Sequence, residues 1–235
     1  MTLTRQILTS KQKDLIFTSD DPLVEEYFSN PSNYADSNLT QFNTDRVYDA
    51  ILVGGENLTI LDLGANAGFF TLYAQDRARM IYAVEPTPSH FHILKELTTS
   101  YRNVVRCNLA LHDKDENVEF FIKPDNSTMN STAIKYGVAE TVQGMTLKTL
   151  LSSIGETNID FVKCDIEGSE MIALTDETVG AVRDQIKVWF VEVHATNHDH
   201  WEESMQLNRS LLATMFVRQG YQVQTFRRDI LYAYK

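Results

Sequence analysis

The sequence predicts an α/β domain with a mostly parallel β-sheet, helices on both faces and an antiparallel hairpin at its C-terminal end. From residue 58 onward, short apolar segments alternate with amphipathic ones, as strands and crossover helices do in parallel sheets. "YQVQTF" and "ILYAY" then flank Arg227–Asp229 as the two strands of a hairpin would. We expect one domain over residues 1–235, with a helical and loop cap over 1–56 and the sheet core over 57–235.

The order of the predicted elements follows from these segments. Strands are expected at "LTILDL", "MIYAVE", "NVVRCNLAL", "NVEFFIK", "IDFVKCDI" and "KVWFVEVH". Helices are expected at "GFFTLYAQDRA", "PSHFHILKELTTS", "TLKTLLSSI", "SEMIALTDETV" and "SLLATMFVRQG", and nearer the start at "PLVEEYFS" and "DRVYDAILV". Because the strands are short and apolar, they are typical of a sheet covered on both faces.

The charge, the apolar segments and the cysteines of the chain disfavour several classes of function. With 21 Lys and Arg against 32 Asp and Glu, the formal charge is −11, which disfavours a nucleic-acid partner. No segment approaches the roughly 20 apolar residues of a membrane helix, and "MTLTRQILTSKQKDLIF" has no signal-peptide core. Cys107 and Cys164 have no metal-type spacing and fall on different predicted strands, so we expect free thiols. These features predict a cytoplasmic protein without a membrane partner.

The first predicted strand runs into the turn "DLGANAG". Gly64 and Gly68 allow a ligand to approach the main chain, and the following helix begins with free amides. A nicotinamide fingerprint would need glycine at Asn66 and Phe69, so a dinucleotide is disfavoured. Asp62 before the turn suits a cationic group. The turn therefore favours a ligand with an amino-acid end, a ribose and no phosphate.

The ends of the next two strands carry matching features. Glu85 follows the glycine turn by about 20 residues, where a carboxylate can bind both ribose hydroxyls. Asn108 is placed to bond an adenine edge, with Leu109 and Ala110 packing on the ring. Because parallel strands present their carboxyl ends at one edge of the sheet, these features predict a single binding site.

Five segments together resemble the FkbM family of S-adenosylmethionine-dependent methyltransferases: "ILDLGANAGFFTLYA", "YAVEPTPSHFHIL", "NLALHD", "TLKTLL" and "IDFVKCDIEGSE". The resemblance runs from about Leu58 to His194. It implies a Rossmann-like class I methyltransferase fold with a seven-stranded sheet, and methylation of a hydroxyl on a sugar or small secondary metabolite. A non-catalytic cofactor-binding or protein-interaction module on the same fold is the alternative, and nitrogen or a carboxylate is the alternative acceptor.

The predicted S-adenosylmethionine site combines the glycine turn with the following strand ends. The turn is expected to hold the methionine end, with Asp62 acting on its ammonium group directly or through water. The predicted cofactor-binding residues are Asp62, Gly64, Ala65, Asn66, Gly68, Glu85, Pro86, Asn108, Leu109 and Asp165.

The predicted catalytic residues are Asp165 and His194, which end the fourth and fifth strands of the main sheet. Methyl transfer requires an aligned acceptor oxygen and removal of its proton. Asp165 could accept that proton or cap the following turn, whereas His194 could act as a base of ordinary pKa or bond structurally. Lys163, Glu167 and Glu170 lie nearby without an assigned role.

The remaining candidates are a possible metal site and two segments that could border the acceptor. Asp165, Glu192 and His194 form an O/N ligand set, but without an HExxH or Cys/His spacing we expect no metal. His198 and His200 are expected to be exposed or to belong to a lid. The polar stretch 124–137 is expected to be a lid or an ordinary surface loop. Four early aromatic residues are expected in the core, with covering of the cofactor or lining of a sugar site as alternatives: Tyr27, Phe28, Tyr34 and Phe42.

Overall fold

The computed structural model describes Tyr48 and residues 56–123, 130–135, 138–197 and 199–235. The helix predicted at "PLVEEYFS", all of "DRVYDAILV" except Tyr48, and His198 lie outside the described residues. So do the four early aromatic residues and most of the predicted lid.

The described residues form short strands and helices in alternation. The strands are β1 (Leu58–Leu63), β2 (Ala78–Val84), β3 (Val104–Cys107), β4 (Ala110–Leu111), β5 (Asn117–Ile122), β6 (Val138–Met145), β7 (Phe161–Cys164), β8 (Val188–Glu192), β9 (Gln222–Arg227) and β10 (Ile230–Tyr234). The helices are α1 (Phe69–Ala74), α2 (Pro88–Leu97), α3 (Leu147–Ile154), α4 (Glu170–Ala173), α5 (Asp176–Gly180) and α6 (Trp201–Arg218).

The main sheet has seven strands in the order β3-β2-β1-β7-β8-β10-β9. The five strands from β3 to β8 are parallel, and β10 pairs antiparallel with both β8 and β9. The predicted mostly parallel sheet with a C-terminal hairpin is therefore confirmed. From β1 the chain builds outward to β3 and later returns to the other side of β1 at β7, so the topological switch point lies between β1 and β7. Ligands of such sheets bind at that point, beyond the carboxyl ends of the strands.

Helices cover both faces of this sheet, as predicted. Along β1, Ile60 packs on the face that carries α1, α2 and Tyr48, whereas Leu61 packs on the opposite face. The second face is covered by α3, α5 and α6, with the ring of Trp189 in β8 packed at a tilt against that of Phe216 in α6. Because successive residues of a strand point to opposite faces, each apolar strand contributes to two cores.

The segment "NVVRCNLAL" does not form the single strand predicted for it. β3 ends at Cys107, and β4 leaves the main sheet to pair with β6. The Asn108 side chain between them donates to the backbone carbonyls of Glu85 and Pro86 at 2.8 and 3.1 Å. This bonding between Asn108 and the end of β2 takes the place of a continued ladder. β4, β6 and β5 form a separate three-stranded sheet, in which β6 is an element that the sequence pattern did not predict.

Three helix predictions also had wrong bounds. "GFFTLYAQDRA" is helical only over α1, which ends at Ala74, and its last residue, Ala78, begins β2. "SEMIALTDETV" forms two helices, α4 and α5, because Thr175 between them is extended and caps the second. Its hydroxyl accepts from the amide of Thr178, whose own hydroxyl accepts from the amide of Thr175. α6 begins at Trp201, well before the predicted "SLLATMFVRQG".

Cys107 is half-buried, Cys164 is buried, and both are free thiols, as predicted. Among the described residues, no helix combines the length and the apolar character needed to cross a membrane.

Candidate active site

The glycine turn lies between the ends of β2 and β7. The amides of Gly64 and Ala65 both donate to the carbonyl of Val84, at 3.0 and 2.9 Å. On the other side, Gly64 has a φ of 78°, and a Cβ atom added there would meet the Asp165 carbonyl oxygen at 1.8 Å. The backbone of the turn therefore packs directly on the backbone that follows β7, which only glycine allows.

Glu85 fixes the turn from the β2 side. Its carboxylate is buried, with Oε2 accepting from the amide of Asn66 and Oε1 from the amide of Thr87, both at 2.8 Å. Asn108 donates to the carbonyl of Glu85, so the three predicted strand-end features are joined by hydrogen bonds. Leu109, expected against an adenine ring, packs in the core next to this junction.

Asp62 lies beneath the turn and has no exposed surface. Its Oδ2 accepts from the Thr71 hydroxyl at 2.6 Å, and its Oδ1 has no hydrogen-bond partner among the described residues. Burial raises the pKa of Asp62, while Lys163 and Thr71 act to lower it. A direct contact between Asp62 and a ligand ammonium, which was one of the two predicted routes, is therefore closed in this conformation.

Lys163 is a buried cation to which the sequence analysis gave no role. It lies opposite Asp62 in the register of β1 and β7. Its Nζ donates to the Gly64 carbonyl at 2.8 Å and lies 3.1 Å from Asp165 Oδ2 and 3.7 Å from Asp62 Oδ1. Burial acts to lower its pKa, but the nearby carboxylates raise it above the ordinary lysine value, so Lys163 stays charged. A lysine inside the apolar strand "FVKC" was the sequence signal for this role. Because lysine is almost never buried without a charged partner, its position predicts a nearby carboxylate.

His194 faces two carboxylates beyond the end of β8. Its Nε2 lies 3.5 Å from Glu167 Oε2 and 3.7 Å from Asp165 Oδ1. Its Nδ1 lies 3.0 Å from Oε1 of Glu170, which is wholly buried and also accepts from the amide of Ile166. We call Asp165, Glu167 and His194 the strand-end triad. Glu170 holds the imidazole so that Nε2 points at the other two members.

The ionisation of this region differs from what the isolated residues suggest. Burial acts to lower the pKa of His194, but Glu170, Glu167 and Asp165 raise it well above 6.5. This direction differs from the ordinary histidine pKa expected from the sequence. Burial raises the pKa of Glu167 to about 8, and the charge of Asp165 together with burial raises that of Glu192 to about 7. The site is short of positive charge.

Tyr48 reaches the same region from the N-terminal segment. Its ring packs against Phe70 and Phe190, with centroids 4.8 Å away in each case. Burial raises the pKa of the Tyr48 phenol, Lys163 lowers it and Asp165 raises it further. The Tyr48 hydroxyl therefore lies close enough to both charged groups to interact with them. Tyr48 was not among the site residues predicted from the sequence.

Part of the predicted lid is anchored across the site. We call residues 130–135 the strap. The Thr132 amide and hydroxyl donate to the buried Ser169 Oγ at 3.1 and 2.8 Å. At the other end, Asn130 Nδ2 donates to the Thr87 hydroxyl at 3.4 Å. The strap thus connects the end of β2 with the start of α4.

Replacing Ser169 by alanine is expected to lower the free energy of unfolding by about 1–3 kcal/mol, because the Thr132 amide loses its acceptor. Urea denaturation measures this change. Ser152→Ala is the matched control, since the exposed Ser152 hydroxyl only donates to a carbonyl within α3. Equal stability of the two variants would contradict the anchoring role.

The side chains that could hold a metal differ from the predicted set in one member. The candidate donor atoms of Asp165, Glu167 and His194 lie within 4.8 Å of one another. Glu167 stands where Glu192 was predicted, because the turn after β7 returns its side chain towards His194. Asp199 and His200 are exposed, in agreement with one of the two interpretations given for His200.

Comparison with known proteins identifies a family. The family model described as Methyltransferase FkbM domain matches residues 62–223, more than half of the chain. No curated protein sequence matches. Among solved structures, precorrin-6y C5,15-methyltransferase from Geobacter metallireducens is 15% identical over 82% of this chain and 88% of that chain, with a TM-score of 0.46.

Two further solved structures are similar at the same level. Aeropyrum pernix fibrillarin, in complex with natively bound S-adenosyl-L-methionine, is 15% identical over 77% of this chain and 66% of that chain, with a TM-score of 0.47. The SMU.1697c protein of Streptococcus mutans, in complex with SAH, is 10% identical over 81% of this chain and 97% of that chain, with a TM-score of 0.48.

Proposed function

This chain belongs to the FkbM methyltransferase family, and we propose from that premise that it methylates the hydroxyl oxygen of a sugar or small secondary metabolite. It is an S-adenosylmethionine-dependent methyltransferase. One observation carries the proposal: the glycine turn, Glu85 and the strand-end triad meet at the switch point of the sheet. The net charge of −11 supports a small-molecule acceptor over nucleic acid.

The residues of the turn fit the cofactor. Gly64 and Gly68 let the turn pack closely on Asp165 and Leu94, which fixes its backbone at the end of β1. Each Glu85 oxygen keeps a lone pair beyond the amide it already accepts. We assign the methionine end to the turn, the ribose to Glu85 and the adenine to the edge formed by Asn108 and Leu109. The buried Asp62 Oδ1, which accepts no hydrogen bond from the described residues and lies 3.7 Å from Lys163 Nζ, adds negative charge beneath the turn, which suits a cationic ligand. Bound S-adenosylmethionine supplies a methyl group on a sulfonium, a good leaving group.

Asp165 and His194 are the residues proposed to contact the acceptor. Asp165 is ionised, because Lys163 and His194 outweigh the effect of burial and hold its pKa below the ordinary value. Both side chains are partly exposed, at 27% and 14%, so an acceptor can reach them. Their role is to contact the acceptor oxygen, orient it and lower the cost of removing its proton.

We also propose that residues 1–56 cap the same single domain. The support is Tyr48, which is 7% exposed and packs in one continuous core with β1, α1 and β8. A cap seated there would border the acceptor side of the crevice.

The test separates cofactor binding from turnover. Glu85→Ala is expected to raise the Kd for S-adenosylmethionine about 10- to 100-fold, the equivalent of about 1.4–2.8 kcal/mol, because the turn and the ribose lose the same carboxylate. Calorimetric titration measures the Kd, with Glu96→Ala, an exposed position on α2, as the matched control and NAD as the control ligand. Thermal unfolding verifies that each variant is folded.

Asp165→Asn is expected to keep the Kd for S-adenosylmethionine within a few-fold and to lose turnover with a panel of hydroxyl acceptors. Binding without turnover in the wild type would support the non-catalytic module instead. Failure of folded wild-type protein to bind S-adenosylmethionine would overturn the assigned site.

A further inference from the structure

We propose that the strand-end triad, Asp165, Glu167 and His194, binds a divalent metal ion next to the acceptor. This inference rests on the proposed function for the role of the ion, but the binding itself can be measured alone. The triad brings one imidazole and two carboxylates to neighbouring ends of β7 and β8.

The distances within the triad are those of ligands that share an ion. His194 Nε2 lies 3.5 Å from Glu167 and 3.7 Å from Asp165, too far for good direct hydrogen bonds. Ligands at adjacent positions around an ion, each about 2.1–2.5 Å from it, are separated by roughly 3–3.5 Å. The distances in the triad are equal to or slightly longer than this range, and all three donor atoms lie within 4.8 Å of one another, so a small inward movement of the side chains would let them share one cation.

The histidine is already oriented for coordination. Glu170 Oε1 holds Nδ1 at 3.0 Å and leaves Nε2 directed at the two carboxylates. Coordination uses the Nε2 lone pair, so the ion takes the place of a proton on Nε2 and that proton is released to solvent. A metal-ligating histidine almost always gives its second nitrogen to such a partner, which fixes the tautomer and the ring. Glu170 is wholly buried and is itself fixed by the Ile166 amide, so the support is rigid.

A second observation is that carboxylates outnumber cationic side chains around the triad: Lys163 and His194 face Asp165, Glu167 and Glu170. Lys163 donates to the Gly64 carbonyl and pairs with both Asp165 and Asp62. Two fully buried carboxylate oxygens, Asp62 Oδ1 and Glu170 Oε2, still have no hydrogen-bond partner among the described residues. A divalent ion supplies the charge that this surplus of carboxylates lacks.

The donor set also indicates the class of ion. Carboxylates suit Mg²⁺ and Mn²⁺, whereas imidazole suits first-row transition metals, so a mixed set favours Mn²⁺ or a similar ion. Three protein ligands leave coordination positions open for the acceptor hydroxyl and water. A metal-bound hydroxyl loses its proton more readily, because the ion acts as a Lewis acid.

Direct titration of the full chain with Mn²⁺ tests the proposal, without cofactor or acceptor. Electron paramagnetic resonance of free Mn²⁺ is expected to show one bound ion per chain. Glu167→Gln is expected to weaken binding at least 10-fold. Glu119→Gln, at an exposed position on β5, is expected to leave it unchanged. Thermal unfolding confirms that both variants are folded.

The absence of saturable Mn²⁺ binding, or equal affinity in Glu167→Gln and the wild type, would overturn the metal site. Titration of the same preparations with S-adenosylmethionine distinguishes the two ideas. Cofactor binding without Mn²⁺ binding rejects the metal alone, whereas Mn²⁺ binding without cofactor binding rejects the proposed function alone.

Discussion

Replacing Gly64 by alanine is expected to abolish cofactor binding and to lower the free energy of unfolding by about 3–5 kcal/mol. The new methyl group would lie 1.8 Å from the Asp165 carbonyl oxygen and 2.8 Å from its carbon. Both contacts are to backbone, so the clash can be relieved only by moving the turn away from β7. That movement breaks the bond between Lys163 and the Gly64 carbonyl and displaces the floor of the cofactor site.

Gly155→Ala is the matched control for this substitution. Gly155 has nearly the same φ, 71° against 78°, but no atom lies within 4 Å of its added Cβ. Its substitution is expected to cost only about 1–2 kcal/mol for the left-handed backbone. Urea denaturation and calorimetric titration of both variants separate the steric contribution from the conformational one. Similar losses in the two variants would contradict the close packing of the turn on β7.

Replacing Lys163 by methionine is expected to lower the free energy of unfolding by about 3–5 kcal/mol, because two carboxylates would lose their buried counter-ion. Asp62 has no exposed surface and no other cation within the ion-pair distances of the described residues. Lys187→Met is the control, since Lys187 pairs with Asp160 at 2.7 Å but is 63% exposed. An exposed pair of that kind contributes about 0–1 kcal/mol.

A double-mutant cycle identifies the cause of this loss. If Asp62 is destabilised by losing its cation, then Asp62→Asn combined with Lys163→Met should cost about 1–2 kcal/mol less than the sum of the single changes. Additive effects would mean that Lys163 acts through packing of its stem, and would count against the electrostatic role. Urea denaturation supplies all four free energies.

Most of the fold could be predicted from local patterns. Short apolar strands separated by amphipathic helices already specify a parallel sheet covered on both faces, and the turn at Arg227–Asp229 specifies the hairpin. The elements that the local pattern did not predict correctly, β3 and β6, depend on contacts between residues far apart in the chain. β3 stops because Asn108 bonds to the end of β2, and the mostly exposed β6 carries too little hydrophobic alternation to be recognised.

The position of the candidate site could be predicted from the sequence, but the interactions between its side chains could not. Strand-end placement identified Glu85, Asp165 and His194, because parallel strands end at one edge of the sheet. The importance of Lys163 depends on its register with Asp62, which is set by the pairing of β1 and β7. The charge of His194 depends on Glu170, which lies 24 residues earlier in the chain. Neither relation is visible in the spacing of either residue alone.

The strap has a consequence for how the two substrates influence each other. It is bonded to Thr87 beside Glu85 at one end and to Ser169, between Glu167 and Glu170, at the other. If a ligand that binds beside one attachment breaks or strengthens the bond at the other, the two binding events are coupled. Such linkage is reciprocal by thermodynamic necessity, so the affinity for cofactor and the affinity for acceptor must change by the same factor. The strap therefore gives this small domain a physical route to heterotropic cooperativity.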